Sequence, residues 1–385
     1  MISIQILEFA NHLLDQLIGF YLTNPRTLSA IVIAAAYYVY YLRNVVQASV
    51  SSFKPLLISA EDGGQISLDW YDPDGNSEQC ESSKCESVPH YSYNRPIAIF
   101  LPGLTGCSQA EYIKTLVPMA HDIGYRAVCV NYRGLGNTRL LTPRLYCAAN
   151  DDDLRSALGH IRQFNPDSKI VAIGISMGGI ILARYLISTG SKALVDAAFL
   201  VSVCFNFMEV VDSMERGLNY PLNQLLTKSL INIVLEHWQW FQDLPQFDID
   251  VIRKCRNIRE FDEAFTIRMF NFKTSSDYYR ESSHKGRISC IKKPTFCINA
   301  ADDMFAPIET LPIDEVQMSS HVAMLVTARG GHIGFMESLL PRRTASSYYS
   351  ERVVGEYLKA LYNISDIRCN LQCICNEPLS STCFN

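Results

Sequence analysis

No stretch of the chain interleaves lysine or arginine with aromatic residues, and 34 basic residues face 39 acidic ones, for a formal net charge of −5. The cationic stripe that a nucleic-acid partner requires is therefore missing. There is no P-loop and no dinucleotide GxGxxG, so nucleotide cofactors have no recognisable seat. No histidine stands near the cysteine-dense tail of Cys369, Cys373, Cys375 and Cys383, which argues against a zinc site. No lysine or arginine precedes Arg26, so the basic start of a secretory signal peptide is lacking. Internal repeats and low-complexity blocks are absent too. The expectation is a protein with no cofactor, no metal and no obligate protein partner.

What the chain has in quantity is apolar residues, 48% of 385, enough for a large packed core. It also has 13 cysteines, an odd number without the even spacing of a disulfide framework. Cys107, Cys129, Cys147, Cys204, Cys290 and Cys297 sit in or beside apolar runs and read as reduced, buried small hydrophobes. Cys80 and Cys85 lie in a polar loop and could pair. Cys383 is too far from the terminus for a prenylation box, which leaves reversible acylation of the tail open.

Residues 27–42 carry no charge and are bracketed by Arg26 and Arg43. As a helix they would span about 24 Å, short of a hydrocarbon core of about 30 Å by an amount that thinning and snorkelling arginines can absorb. Tyr37, Tyr38, Tyr40 and Tyr41 gather at one end, where an interfacial aromatic belt would sit. Residues 1–24 are apolar but include Glu8, His12 and Asp15, an amphipathic pattern suited to the interface. The reading is a single-pass membrane anchor over residues 1–45, in an endomembrane such as the endoplasmic reticulum. A cleaved signal peptide, a buried core helix and a surface-lying helix are the alternatives. One arginine on each side leaves the orientation open.

After the anchor, strand-like and helix-like segments alternate. Residues 56–60 and 65–70 read as a hairpin, and 72–95 as a polar surface loop. Strands follow at 97–101, 126–130, 169–173, 197–203, 295–299 and 322–327, with helices at 109–122, 151–164 and 179–188. Such alternation predicts an α/β fold whose mostly parallel sheet is covered on both faces. Residues 205–289 break the pattern. They are helical in period and rich in Phe, Leu, Met and Trp, including Trp238, Trp240 and Phe241, and read as a cap inserted between core strands. The expected layout is an anchor over 1–45, a catalytic domain over 53–361 with its 205–289 cap, and a Cys-rich tail over 362–385.

The chemistry is carried by Gly174-Ile175-Ser176-Met177-Gly178-Gly179. The motif follows the strand KIVAI and opens the helix IILARYLI, the strand–turn–helix context that lifts a serine hydroxyl above a sheet. The flanking glycines are needed because side chains there would clash in the turn. Such a serine needs a base, and the base an orienting acid, which follow in the order acid then histidine. The strand at 295–299 runs into Ala300-Ala301-Asp302-Asp303-Met304-Phe305-Ala306-Pro307. Asp303 fits the acid by its spacing to Pro307, with Asp302 as the alternative. The last strand runs into Gly330-Gly331-His332, where the base belongs. His284 and His321 do not sit just past a strand, and His237 lies in the cap. The turn offers the backbone N–H of Met177 to an oxyanion, and the loop Leu101-Pro102-Gly103-Leu104-Thr105-Gly106 offers that of Leu104.

With these residues in place, the sequence resembles the eukaryotic membrane-anchored α/β-hydrolase-domain family that includes the medium-chain phosphatidylcholine phospholipases. Yeast medium-chain ester synthases are more distant. The stretches that carry the resemblance are LPGLTG (101–106), NYRGLGNTRLLTPRLYCAAN (131–150), GISMGG (174–179), IREFDEAFT (258–266), DYYRESS (277–283), NAADDMFAP (299–307) and GGHIGF (330–335). It covers roughly residues 53–361 and implies an α/β-hydrolase fold, triad roles for Ser176, Asp303 and His332, a lipid ester substrate and one membrane anchor. One departure stands out. Some relatives carry a His-x4-Asp acyltransferase signature, and none of the eight histidines here has aspartate at that spacing. The expected activity is hydrolysis of acyl esters of glycerophospholipids. Acyl transfer to an alcohol and a non-catalytic membrane receptor on the same fold are the rivals.

Overall fold

Uninterrupted apolar runs such as IAIFL and AAFLV cannot face water on either side, and in the computed structural model they form the middle of one eight-stranded sheet. The structure describes residues 52–73, 95–136, 138–337 and 348–375, with backbone alone at 218 and 364–375. All belong to one compact unit made of Val50–Glu337 and Ala345–Asn385. The expected anchor over residues 1–45, Cys80, Cys85 and Cys383 lie outside the described residues. Among the described residues no helix is long and apolar enough to cross a membrane.

The strands are β1 (Phe53–Ser59), β2 (Gln65–Tyr71), β3 (Ile97–Leu101), β4 (Arg126–Asn131), β5 (Ile170–Ile175), β6 (Ala197–Val201), β7 (Thr295–Ala300) and β8 (Val322–Thr327). Their order is β1-β2-β4-β3-β5-β6-β7-β8. β2 runs antiparallel to β1 and β4, and every other pairing is parallel. Alternate side chains feed two core layers, as the two-residue period of a strand requires. Ile97, Ile99 and Leu101 join the layer that includes Leu154 and Leu158, while Ala98 and Phe100 join the layer of Val117 and Leu358. Helix α1 is Glu111–Ile123, α2 is Asp152–Phe164 and α3, which follows β5 directly, is Met177–Thr189.

Between β6 and β7 the chain forms only helices: α4 (Phe207–Met214), α5 (Tyr220–Glu236), α6 (Ile249–Arg253), α7 (Ile258–Phe261), α8 (Ile267–Met269) and α9 (Ser275–Ser282), with a π-helical turn Asp262–Thr266 joining α7 to α8. Side chains of Asp248, Asn257 and Thr274 cap α6, α7 and α9 by accepting backbone N–H groups. Helix α10 (Ile313–Gln317) precedes β8, and α11 (Tyr349–Cys375) closes the fold, running past the boundary expected after residue 361.

Two cysteine expectations need correction. Cys129, Cys147, Cys204 and Cys297 are buried and reduced, but Cys107 is half-buried and Cys290 is exposed. Cys290 ends the 3-10 turn Ile288–Cys290, ahead of the strand whose apolar run suggested burial.

Candidate active site

The serine sits at the C-terminal edge of β5, on a turn too tight for ordinary backbone. Ser176 has φ 52° and ψ −117°, in the positive-φ region that a side-chain-bearing residue rarely enters. The glycines around it make the turn possible: a Cβ on Gly178 would lie 2.2 Å from the Leu101 carbonyl oxygen, and one on Gly174 would lie 2.6 Å from the Gly179 Cα. The Ser176 amide donates to the Val201 carbonyl at 2.8 Å, tying the turn to β6.

Two later loops meet the serine. His332 Nε2 lies 2.7 Å from Ser176 Oγ, and His332 Nδ1 lies 2.8 Å from Asp303 Oδ2. Asp303 is 2% exposed, and its other oxygen accepts the amides of Phe305 and Ala306 at 2.8 and 3.2 Å. Asp302 Oδ1 instead accepts the amides of Gly330 and Gly331 at 2.8 and 2.9 Å. The neighbouring aspartates thus divide the work: Asp303 faces the imidazole and Asp302 ties down the loop that carries it. The Phe305 ring packs against His332 with centroids 4.7 Å apart.

The other histidines weighed stay away from this chain of bonds. His284 is buried against the Ile180 carbonyl, and burial lowers its pKa to about 4. His237 bonds the Gly134 carbonyl, and His321 bonds Ser320.

Leu104 and Met177 both line the cavity beside Ser176. In the loop after β3, the Gly103 amide donates to Tyr112 Oη at 2.9 Å and the Thr105 amide to Tyr146 Oη at 2.9 Å. The Gly106 amide donates to the Gly103 carbonyl. The Leu104 amide meets no acceptor among the described residues, and Met177, first residue of α3, has an N–H with no preceding turn to receive it.

A cavity of about 310 Å³ opens from this point. Its walls are chiefly apolar, with Leu226, Leu230, Ile233, Phe261 and Phe265 contributed by the helical insertion. Trp238, Trp240 and Phe241, the aromatics that singled out the insertion in the sequence, do not line it. Phe241 packs edge-on to Phe247 and to the cavity-lining Phe265 in a small core that also takes Leu140 and Leu145, with both tryptophans against it. Sequence reasoning also missed Asp262. This carboxyl lines the cavity from the π-helical turn, accepts Tyr279 Oη at 3.1 Å, and is raised to about 7 chiefly by burial. A buried carboxyl in an apolar helix pattern gives no local signal beyond its own charge. Among the described residues no group of three His, Cys, Asp or Glu could hold a metal ion.

The mostly parallel sheet, with its serine raised on a strand-to-helix turn and a hydrogen-bonded histidine within reach, fits the class of carboxylic-ester hydrolases. The profile of the alpha/beta hydrolase fold matches residues 96–227. A phospholipase of Mus musculus, Phospholipase ABHD3, is 39% identical over 306 residues, covering 79% of this chain and 71% of its own. The Monoacylglycerol lipase of Saccharomyces cerevisiae is 28% identical over 326 residues, covering 76% and 71%. Among solved structures, the Pyrococcus furiosus esterase Pf2001 matches with a TM-score of 0.47 at 18% identity, covering 80% of this chain and 90% of its own. The chain belongs to the α/β-hydrolase family.

Proposed function

We propose that the protein cleaves acyl esters of glycerophospholipids through Ser176, His332 and Asp303. The observation that carries this reading is the unbroken run of hydrogen bonds from Ser176 Oγ through His332 to Asp303, at the mouth of an apolar cavity. The phospholipase named among the relatives supports the glycerophospholipid class.

In this mechanism His332 Nε2 takes the hydroxyl proton as Ser176 Oγ attacks the ester carbonyl carbon. Asp303 accepts the Nδ1–H, which fixes the tautomer and stabilises the imidazolium that forms. The carbonyl oxygen gains negative charge and is received by the amides of Leu104 and Met177, each donor of this kind contributing on the order of 3 kcal/mol. Collapse of the tetrahedral intermediate breaks the carbon–oxygen bond to the alcohol, which leaves with the proton from His332. Water, deprotonated by the same histidine, then releases the fatty acid from Ser176. The insertion's apolar wall holds the acyl chain.

Residues 27–42 supply a membrane anchor that keeps the enzyme at its lipid substrate, a role supported by their charge-free run between Arg26 and Arg43. Deleting residues 1–45 should move the protein from membrane pellet to supernatant while activity on a short soluble ester remains. Loss of that activity in a folded protein would mean that the N-terminus builds part of the site.

The functional test uses the full chain in phosphatidylcholine vesicles, with fatty acid and lysophospholipid quantified by mass spectrometry. Equimolar release of both products, abolished in Ser176→Ala, is expected. Unchanged release by the alanine variant would overturn the assignment, and transfer of the acyl group to added alcohol in place of water would redirect it to acyl transfer.

A further inference from the structure

Three consecutive amides in the loop after β3 meet different fates. Gly103 and Thr105 give their protons to Tyr112 and Tyr146, and Leu104 between them gives its proton to no protein group described. The two tyrosines reach the loop from separate parts of the chain, Tyr112 from the first turn of α1 and Tyr146 from the segment that leads to α2, 41 residues beyond Thr105. A third, Tyr132, stacks on Tyr146 with ring centroids 4.5 Å apart and donates its hydroxyl to the Pro102 carbonyl at 3.0 Å.

The backbone these contacts hold is strained. Thr105 has φ 60°, a left-handed conformation that a β-branched residue resists. Unheld, the Thr105 peptide would relax toward negative φ, and the adjoining peptide that carries the Leu104 N–H would turn with it. Beyond the loop, Ser108 is fixed in turn: its amide donates to Asn131 Oδ1 at 2.8 Å and its hydroxyl to Asp69 Oδ2 at 2.6 Å. Burial pushes the phenols of Tyr112 and Tyr146 upward in pKa, so both remain neutral acceptors for these amides.

We propose that Tyr146 and Tyr112 are positioning residues that use up the two flanking amides and hold Thr105 in its strained conformation, so that the Leu104 N–H is the one donor of the loop aimed at the substrate's oxyanion. This rests on the reading of Leu104 as an oxyanion donor. Space-filling alone would leave phenylalanine as good as tyrosine at both positions. The difference between the two accounts is a single oxygen, which keeps volume and stacking nearly constant.

The experiment compares wild type, Tyr146→Phe and Tyr112→Phe in the full chain on a soluble ester. It measures kcat, KM and the affinity of a trifluoromethyl ketone, which adds to the serine and places an oxyanion in the same hole. Each variant should lose about 10- to 100-fold in kcat with KM within about twofold, and inhibitor affinity should fall by a similar factor. Tyr146→Phe combined with Thr105→Gly should recover at least several-fold of the lost kcat, because glycine takes positive φ without strain. Wild-type kcat in both folded phenylalanine variants overturns the proposal. So does a kcat loss without a matching loss of inhibitor affinity, or a glycine change that deepens the defect. If one variant fails to fold, the other decides. Labelling of Ser176 by a fluorophosphonate is measured in parallel. Silent tyrosine variants with labelled Ser176 sink the positioning role alone, and an unlabelled but active wild type sinks the catalytic reading beneath it.

Discussion

The sheet side of the cavity and its helical side are built differently. On the sheet side, the backbone around Ser176 is pinned by glycine contacts, strained dihedrals and amide hydrogen bonds accepted by Tyr112, Tyr146, Asp302 and Asp303. On the helical side, Leu226, Leu230, Ile233 and Phe265 meet the cavity with aliphatic or aromatic surface, and Asp262 is the one carboxylate from the insertion that lines it among the described residues. Hydrogen bonds fix atoms to within tenths of an ångström, whereas apolar packing fixes volume. A change on the sheet side should therefore alter rate, and a change on the helical side should alter which chains fit.

The sharpest break is expected at the two aspartates. Asp303→Asn should lower kcat roughly 10⁴-fold, because the amide favours the wrong imidazole tautomer. Asp302→Asn, which loosens only the histidine loop, should cost about tenfold. Steady-state kinetics on one soluble ester checks both, and a reversed order would exchange their roles. Next in size is Gly178→Ala. A methyl group 2.2 Å from the Leu101 carbonyl must displace backbone, with a stability loss of about 3 kcal/mol or more. Thermal or urea unfolding of the variant measures it.

Asp262 offers a pH test on the helical side. Its folded pKa of about 7 exceeds the ordinary value of 3.8, so the folded state binds the proton more tightly. The associated stability is full below about pH 4 and is lost as pH rises toward 7. Asp262→Asn should remove this slope and be more stable than wild type at pH 8 by on the order of 2 kcal/mol. Urea midpoints at several pH values decide it. Glu351, also raised to about 7 by burial and bonded to Thr115, contributes a slope of the same sign that should persist in the variant.

The smallest effect separates the two sides most cleanly. Leu230→Ala deepens the helical wall and should shift the preferred acyl length upward, by about fourfold in kcat/KM per added methylene at about 0.8 kcal/mol each. Activity on an acetyl ester should stay within about twofold. A homologous ester series run on both proteins shows whether the cutoff moves, and an unmoved cutoff would place the acyl groove elsewhere.

Much of this contrast was legible in the sequence, and its limits have a physical cause. The strands, the serine turn and the Gly-Gly-His loop carry their signals within a few residues, because period, glycine and strand ends are local. The spacing to Pro307 pointed to Asp303, the aspartate that faces His332 in the structure. The tyrosine supports were hidden because Thr105 and Tyr146 are 41 residues apart, and Ser108 and Asp69 are 39 apart. Trp238 and Trp240 marked the insertion in the sequence but not what they pack against, for a related reason. Aromatic richness marks burial but not against what, and here both tryptophans pack on a small core that the insertion shares with Leu140 and Leu145.

The central claim is that Ser176, activated by His332, forms the acyl-enzyme. Its most direct test is mass-spectrometric mapping of a fluorophosphonate adduct on the full chain, with ester hydrolysis followed on the same sample. The account predicts one adduct, on Ser176, formed in step with loss of activity and absent from both Ser176→Ala and unfolded protein. An adduct on another residue that abolishes activity, or hydrolysis that persists in Ser176→Ala, would contradict it.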